Sequence, residues 1–193
     1  LFVKENEIKN KFKSDKPRII FLSNLMEEKG IFELLEALKI LESKGFEYEA
    51  KIAGHIDTNN KDRIQSYFDE LKHTEYCGVV RGNDKKDLLI WGNIFVLPTF
   101  YAMEGQPISI LEAMATGNIV VTTEHAGIPD VFEDEVNGYY AEKQNSQDLA
   151  DKIICSKSNS ETCDTMRLRN YNYAKNNYRV ENFIKNIINI FNA

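Results

Sequence analysis

The sequence predicts an α/β fold: a doubly wound, mostly parallel sheet with helices gathered at the C-terminus. Three observations predict it. Short apolar runs recur along the chain, at Ile19-Ile20-Phe21-Leu22, Ile94-Phe95-Val96-Leu97 and Ile119-Val120-Val121, and such runs suit strands buried on both faces. Between them lie stretches whose apolar residues fall at helical period. At 193 residues the chain is also long enough to close one large domain around a real core.

Residues 1–17 read as a linker or arriving segment, rich in Lys, Glu and Asn and ending at Pro17, so the domain proper spans residues 18–193. The start at Leu1 and this charged lead-in suggest a piece of something longer. Arg18 to Leu22 is the first buried strand, followed by the loop Ser23–Gly30. Ile31, Leu34, Leu35, Leu38 and Leu41 recur at helical spacing, and Gly45 stops that helix. Phe46, Tyr48, Ala50 and Ile52 alternate with charged residues, which predicts a second strand near an edge or half covered. Ile64, Tyr67, Phe68 and Leu71 mark a second helix, and Tyr76 to Val80 a third strand ended by Arg81-Gly82. Asp84 is expected to cap a short helix through Trp91.

The stretch from Asn93 to Thr123 is the centre of the chain: strand, loop, helix, strand. Pro107 fits the first helical position and Gly117 the residue just past the end. Beyond it, Glu124 to Asp130 turns into a short helical piece, Asn137-Gly138 turns into a last strand at Tyr139-Tyr140-Ala141, and a helix begins at Ser146. From about Ser160 the pattern is two helices, the final one carrying Phe183, Ile184, Ile187, Ile188, Ile190 and Phe191.

Composition narrows the function. The chain is 42% hydrophobic and 28% charged with a net charge of −6, and no lysine-arginine block interrupts the pattern, which argues against nucleic acid as a partner. Cys77, Cys155 and Cys163 lack CxxC spacing and His55, His73 and His125 are scattered, so no metal-ligand set is expected and the thiols read as reduced structural residues of the cytosol. No apolar run approaches the roughly 20 residues needed to span a bilayer.

Within such a fold, ligands bind at the carboxyl ends of the strands. The loops Ser23–Gly30, Gly54–His55, Val80–Gly82, Pro98–Gln106 and Thr122–Asp130 would all face that edge. Two carboxylates eight residues apart, Glu104 and Glu112, stand there. Glu112 sits on an otherwise uncharged helix, where a carboxylate loses hydration unless it reaches an opening or a partner. A salt bridge would satisfy it as well as a ligand would, and Glu104 reads most simply as a solvated loop carboxylate. Lys29 stands where a helix dipole disfavours a cation. It is either neutralised by Glu27 and Glu28 or aimed at a bound phosphate. Gly105 to Ser109 offer backbone N–H groups to an anion, except at Pro107. Arg18, Arg81, His55 and His125 read as surface or structural residues. There is no GxGxxG, no GxxxxGK[ST] and no GxSxG, which disfavours a dinucleotide dehydrogenase, a P-loop NTPase and a serine hydrolase. What remains is a phosphorylated ligand whose hydroxyl groups meet carboxylates.

Glu104-Gly105-Gln106-Pro107-Ile108-Ser109-Ile110-Leu111-Glu112-Ala113-Met114-Ala115-Thr116-Gly117 resembles the Glu-x7-Glu motif of retaining glycosyltransferases of the GT-B fold, often called group 1 glycosyl transferases. The resemblance runs over nearly the whole chain from Arg18. Lys29-Gly30 after the first strand is similar to the family's GR-x4-KG turn. Ile94 to Pro98 matches its apolar strand ending in proline, Ala126-Gly127 through Asp130 its GGxxE, and Asn137-Gly138-Tyr139 its next glycine turn. The chain departs from the family at Asn24 and Ser23, which replace an arginine and a glycine, at Ala126, which replaces a glycine, and at Asp130, which replaces a glutamate. One positive charge on a diphosphate is then missing unless Arg18, Arg81 or another lobe supplies it.

The resemblance implies a Rossmann-like half of a GT-B enzyme, the domain that binds a nucleotide-diphosphate sugar. An N-terminal acceptor-binding lobe of the same protein would be absent from this chain. In that scheme Glu112 reads the ribose, Glu104 contacts the donor sugar, Lys29 neutralises the diphosphate and Ile108 and Ser109 hold sugar or phosphate through backbone groups. Val80 and Arg81 lie near the base, and Asn24 and Gly105 complete the donor set. No cofactor or metal is implied, no catalytic residue is assigned within this chain, and the isolated domain is expected to bind nucleotide but turn over poorly or not at all. The expected reaction is transfer of a sugar, with retention, to a glycan, lipid or other hydroxyl acceptor in polysaccharide biosynthesis. Its expected place is the cytoplasm, peripheral to the inner face of a membrane through the absent lobe. The alternatives are a nucleotide-sugar epimerase or phosphorylase-like GT-B enzyme, and a non-catalytic nucleotide-sugar binding module.

Overall fold

A computed structural model describes residues 3, 4, 7, 8, 11 and 16–191. Its described residues form a six-stranded, all-parallel sheet in the order β3-β2-β1-β4-β5-β6. The strands are β1 (Arg18–Leu22), β2 (Glu49–Ala53), β3 (Thr74–Tyr76), β4 (Ile94–Leu97), β5 (Ile119–Thr123) and β6 (Gly138–Ala141). The chain winds outward from β1 to β3, then returns to start a second half on the other side of β1. The order therefore reverses between β1 and β4, and the carboxyl ends of the strands at such a switch point are where this kind of fold binds ligands.

The helices are α1 (Ile31–Ser43), α2 (Lys61–Glu70), α3 (Gly82–Trp91), α4 (Ile108–Ala115), α5 (Ser146–Ser158), α6 (Ser160–Asn177) and α7 (Val180–Phe191). Right-handed crossovers send the two halves' helices to opposite faces. On one face α1 packs against α5, and on the other α4 packs against α6. Every residue of β4 and β5 is buried, as their uninterrupted apolar character requires. Each large side chain so buried contributes on the order of 1.5–3 kcal/mol.

β2 lies between β1 and the edge strand β3, near an edge and half covered as its alternation predicts. Along it Glu49 is exposed and Lys51 half covered, while Ala50, Ile52 and Ala53 are buried. Lys51 meets Glu75 of β3 at 3.2 Å. β3 ends at Tyr76 rather than Val80, because Gly78 turns into the left-handed region with φ 68° and takes the chain out of the ladder. Arg81, not Asp84, is the N-cap of α3, with no side-chain hydrogen bond, and Asp84 lies in the first turn. Pro107 caps α4 from one residue outside it, and Gly117 follows the helix with φ 69°.

Several side chains of the arriving segment are buried against the domain. Val3 and Ile8 are buried, and the Tyr171 hydroxyl donates to the Val3 carbonyl at 3.0 Å. Lys11 is buried too, and burial pushes its ammonium well below the ordinary lysine value. Its Nζ donates to the Leu89 carbonyl at 2.8 Å, the Thr116 carbonyl at 2.7 Å and Asn118 Oδ1 at 3.2 Å. Leu89 lies in the last turn of α3 and Thr116 is the C-cap of α4, positions where unsatisfied C=O groups and the helix dipole favour a cation.

Candidate functional site

Parallel pairing puts the ends of β1, β2, β4 and β5 on one edge, and the loops that follow them hold one another in place. The Leu25 N–H donates to the His55 carbonyl at 2.8 Å and the Gly54 N–H to the Gly78 carbonyl at 2.9 Å. Across the switch point, the Phe100 N–H donates to the Glu28 carbonyl at 2.8 Å. On the far side, His125 Nε2 lies 2.9 Å from the Tyr101 carbonyl, so this histidine braces the β4 loop.

The first cluster is built on β1 and β4. Leu22 leads into a loop that closes with a 3-10 turn, Glu27–Lys29, before α1 begins. Lys29 Nζ lies 2.6 Å from Glu104 Oε2, with side-chain exposures of 15% and 8%. Glu27 and Glu28 are exposed and do not neutralise it; its partner comes from the other half of the sheet. Thr99 Oγ1 sits 2.9 Å from the same Glu104 oxygen and 3.1 Å from the Glu28 carbonyl, so its single proton serves either. Thr99 Oγ1 also accepts the Tyr101 N–H at 3.2 Å, and the Tyr101 ring lies 4.7 Å from Lys29 Nζ. An ammonium has three donors. With one directed at Glu104, the others remain for the oxygens of an anion.

The second cluster is built on α3 and α4. Glu112 Oε1 lies 2.6 Å from Lys85 Nζ, with exposures of 18% and 29%. The carboxylate on the uncharged helix thus reaches a partner, and Lys85 supplies it. Between the clusters the start of α4 is open: Gly105 and Ile108 are exposed and Ser109 is half-buried. The N–H groups of a first helical turn have no intrahelical acceptors, and the dipole there favours negative charge.

The remaining expected residues are arranged less tightly. Asn24 is exposed on the β1 loop, Val80 is half-buried against the core, and Arg81 is exposed at the start of α3. Arg18 does not belong to this edge. It stands at the opposite end of β1, 3.7 Å from Glu49 and with its guanidinium 5.7 Å from the Trp91 ring, so it cannot replace the charge absent at Asn24. Ala126, where a glycine was expected from resemblance, holds φ 48°, the left-handed conformation that glycine adopts without a Cβ clash. Three participants escaped the sequence reading. Thr99 and Tyr101 carry no pattern beyond following an apolar strand, and Lys85 lies in Asp84-Lys85-Lys86-Asp87, which looks like any solvated helix face.

One titrating group borders the edge. Glu33, in the first turn of α1, has its carboxyl pushed up by burial, with Glu27 adding to the effect. A carboxyl raised above its unfolded value opposes folding once ionised. The penalty is absent below pH 4.5 and grows until the folded group has titrated. Glu33→Gln is therefore expected to raise the unfolding midpoint at pH 7, with the gain vanishing as pH falls below 4.5. Urea titrations at pH 4 and pH 7 check this, and an equal gain at both would refute it.

A family model described as Glycosyl transferases group 1 matches residues 2–175. The chain belongs to the group 1 glycosyl transferases. The amylovoran biosynthesis glycosyltransferase AmsK of Erwinia amylovora is 34% identical over 138 residues, covering 69% of this chain and 34% of AmsK. The N,N'-diacetylbacillosaminyl-diphospho-undecaprenol alpha-1,3-N-acetylgalactosaminyltransferase of Campylobacter jejuni is 29% identical over 138 residues, covering 72% of this chain and 35% of that protein. The chain thus spans about a third of the length of these relatives. Among solved structures, the C-terminal domain of a group 1 glycosyl transferase, LpcC of Francisella tularensis, has a TM-score of 0.76 at 22% identity over 93% of this chain and 96% of that one. Anabaena HepE, solved with UDP and glucose, has a TM-score of 0.81 at 18% identity over 99% of this chain and 53% of HepE. These likenesses identify the architecture as the Rossmann-like C-terminal domain of GT-B glycosyltransferases. In family terms, the first cluster joins the lysine turn to the first glutamate of Glu-x7-Glu, and the second holds the other glutamate.

Proposed function

We propose that this chain is the donor-binding domain of a retaining glycosyltransferase that takes a nucleotide-diphosphate sugar. The observation that carries the reading is the meeting of Lys29 and Glu104 across the switch point, with the open start of α4 beside them. Lys29 would direct its remaining donors at the diphosphate, joined by the N–H groups of the first turn of α4 around Ile108 and Ser109. Glu104, held by Lys29 and Thr99, would accept a hydroxyl of the sugar. Glu112 would accept the ribose hydroxyls, with Val80 and Arg81 near the base. When the bond from the anomeric carbon to phosphate breaks, its electron pair leaves with the nucleoside diphosphate. A cation and helix N–H groups already in place stabilise that charge without reorganising.

An acceptor lobe would complete the enzyme. What supports this is that the chain spans 34% of AmsK and 53% of HepE. The Campylobacter relative is named for a diphospho-undecaprenol acceptor, which supports a lipid-linked or growing-glycan acceptor and work in the cytoplasm at a membrane's inner face. Among the described residues no helix is long and apolar enough to cross a membrane. Peripheral association would then come through the other lobe.

Calorimetric titration of the folded chain with uridine, guanosine and adenosine diphosphates and their sugars tests the reading, since binding by none of them would end it. Glu112→Ala is expected to weaken the nucleotide that binds by roughly 1–3 kcal/mol. Unchanged affinity with a lowered unfolding midpoint would make Glu112 a structural residue only. Retention is checked by the anomeric configuration of the product made by a full-length enzyme.

A further inference from the structure

The Lys85–Glu112 pair carries an inference beyond the donor reading, and rests on it. We propose that Lys85 is a positioning residue for ribose recognition: it holds Glu112 so that one carboxylate oxygen is kept and the other is presented to the nucleoside's hydroxyls. Four observations lead there. Lys85 donates to Oε1 at 2.6 Å, and Oε2 accepts no hydrogen bond among the described residues. An ionised carboxylate has about four lone-pair sites, so one lysine leaves capacity for a diol. Neither partner is freely solvated, at 29% and 18% exposure, so the pair is fixed more firmly than a surface ion pair. Finally, Glu112 is the sole ionisable side chain of α4, whose other residues are Ile108, Ser109, Ile110, Leu111, Ala113, Met114 and Ala115. Nothing else on its own helix can orient it.

The placement of Lys85 extends the point. It lies one turn into α3, the helix capped by Arg81, directly after the loop that leads from β3. The lysine therefore ties the ribose-reading carboxylate to the segment expected to face the base. Lys11 reinforces this arrangement from below, because it bonds the Leu89 and Thr116 carbonyls at the far ends of α3 and α4. One ammonium thus ties the C-terminal ends of both helices together, which limits how far Lys85 and Glu112 can separate.

A lysine that merely decorated the surface and one that positions Glu112 differ in what they do to ribose discrimination. The experiment titrates uridine, guanosine and adenosine diphosphates against the chain, takes the one that binds, and adds its 2′-deoxy and 3′-deoxy forms. The wild-type chain is expected to prefer the ribonucleotide by about 10- to 100-fold, the worth of one hydrogen bond to a charged group. Lys85→Met is expected to collapse that preference toward unity while leaving affinity for the deoxy forms within about threefold. Lys85→Arg, which keeps the charge and the donors, is expected to restore most of it. If Lys85→Met binds and keeps the full preference, the proposal is wrong. If it loses ribo- and deoxynucleotide affinity equally, Lys85 touches phosphate or base instead and the proposal is also wrong. Binding of none of the three diphosphates by the folded wild-type chain would overturn the donor reading itself, a result distinct from either.

Discussion

Lys29→Met is expected to weaken nucleoside diphosphate binding and to lower stability at the same time, each for its own reason. In the folded chain Lys29 Nζ stands 2.6 Å from Glu104, whose side chain is 8% exposed. Removing the lysine leaves a nearly buried carboxylate with only the Thr99 hydroxyl beside it. Breaking a buried pair costs about 3–5 kcal/mol. Because this pair keeps some contact with water, about 1–3 kcal/mol is the expected loss. The binding loss is separate: charge-assisted hydrogen bonds to phosphate contribute about 1.5–3 kcal/mol, or roughly 10- to 100-fold in affinity. The double variant Lys29→Met/Glu104→Gln separates the two. It removes the orphaned charge, so stability is expected to recover while diphosphate affinity stays low. Urea unfolding and calorimetry on the wild type and the two variants measure this, and wild-type diphosphate affinity in Lys29→Met would remove Lys29 from the site.

Gly30→Ala is expected to be strongly damaging, although it adds only one methyl group beside the Lys29–Glu104 pair. Gly30 adopts φ 77°, and an added Cβ would lie 2.3 Å from the Pro98 carbonyl oxygen and 2.6 Å from Pro98 Cγ. The left-handed backbone costs an L side chain about 1–2 kcal/mol, and overpacking against neighbouring chain adds about 1–3 kcal/mol. Pro98 does not yield cheaply, since it directly follows the fully buried β4 and Phe100 beyond it bonds back to Glu28. An expected loss of roughly 2–5 kcal/mol would come with displacement of Lys29 from Glu104. Unfolding in urea checks the first part. If a nucleotide binds the wild-type chain, its affinity checks the second. A Gly30→Ala chain as stable as the wild type would show that the β1 and β4 loops are not pressed together as described.

The contrast between Lys29 and Lys85 shows how much of the site could be read without coordinates. Lys29 was visible because it breaks a local rule: a cation before a helix, beside a glycine, after a buried strand. Its partner was not visible. Glu27 and Glu28 are adjacent in sequence, yet the pairing goes to Glu104, because the reversal of strand order brings the ends of β1 and β4 together. Lys85 breaks no rule at all, and only the 2.6 Å contact between the two helices' side chains shows that it faces Glu112. Arg18 errs in the other direction. Its charge made it a substitute for an absent arginine, but it begins a strand whose other end forms the site, and the length of β1 lies between.

By itself the sequence determined the alternation of strand and helix, the burial of β4 and β5, and the identity of the two glutamates. These depend on periodicity and on the hydration of a carboxylate, which are local properties. Strand order, the early end of β3 at Gly78 and the partners of both glutamates were decided only by tertiary structure. Those depend on which segments meet after the chain has wound past itself, and a carboxylate pairs with whichever cation the fold delivers within reach rather than with the nearest one in sequence.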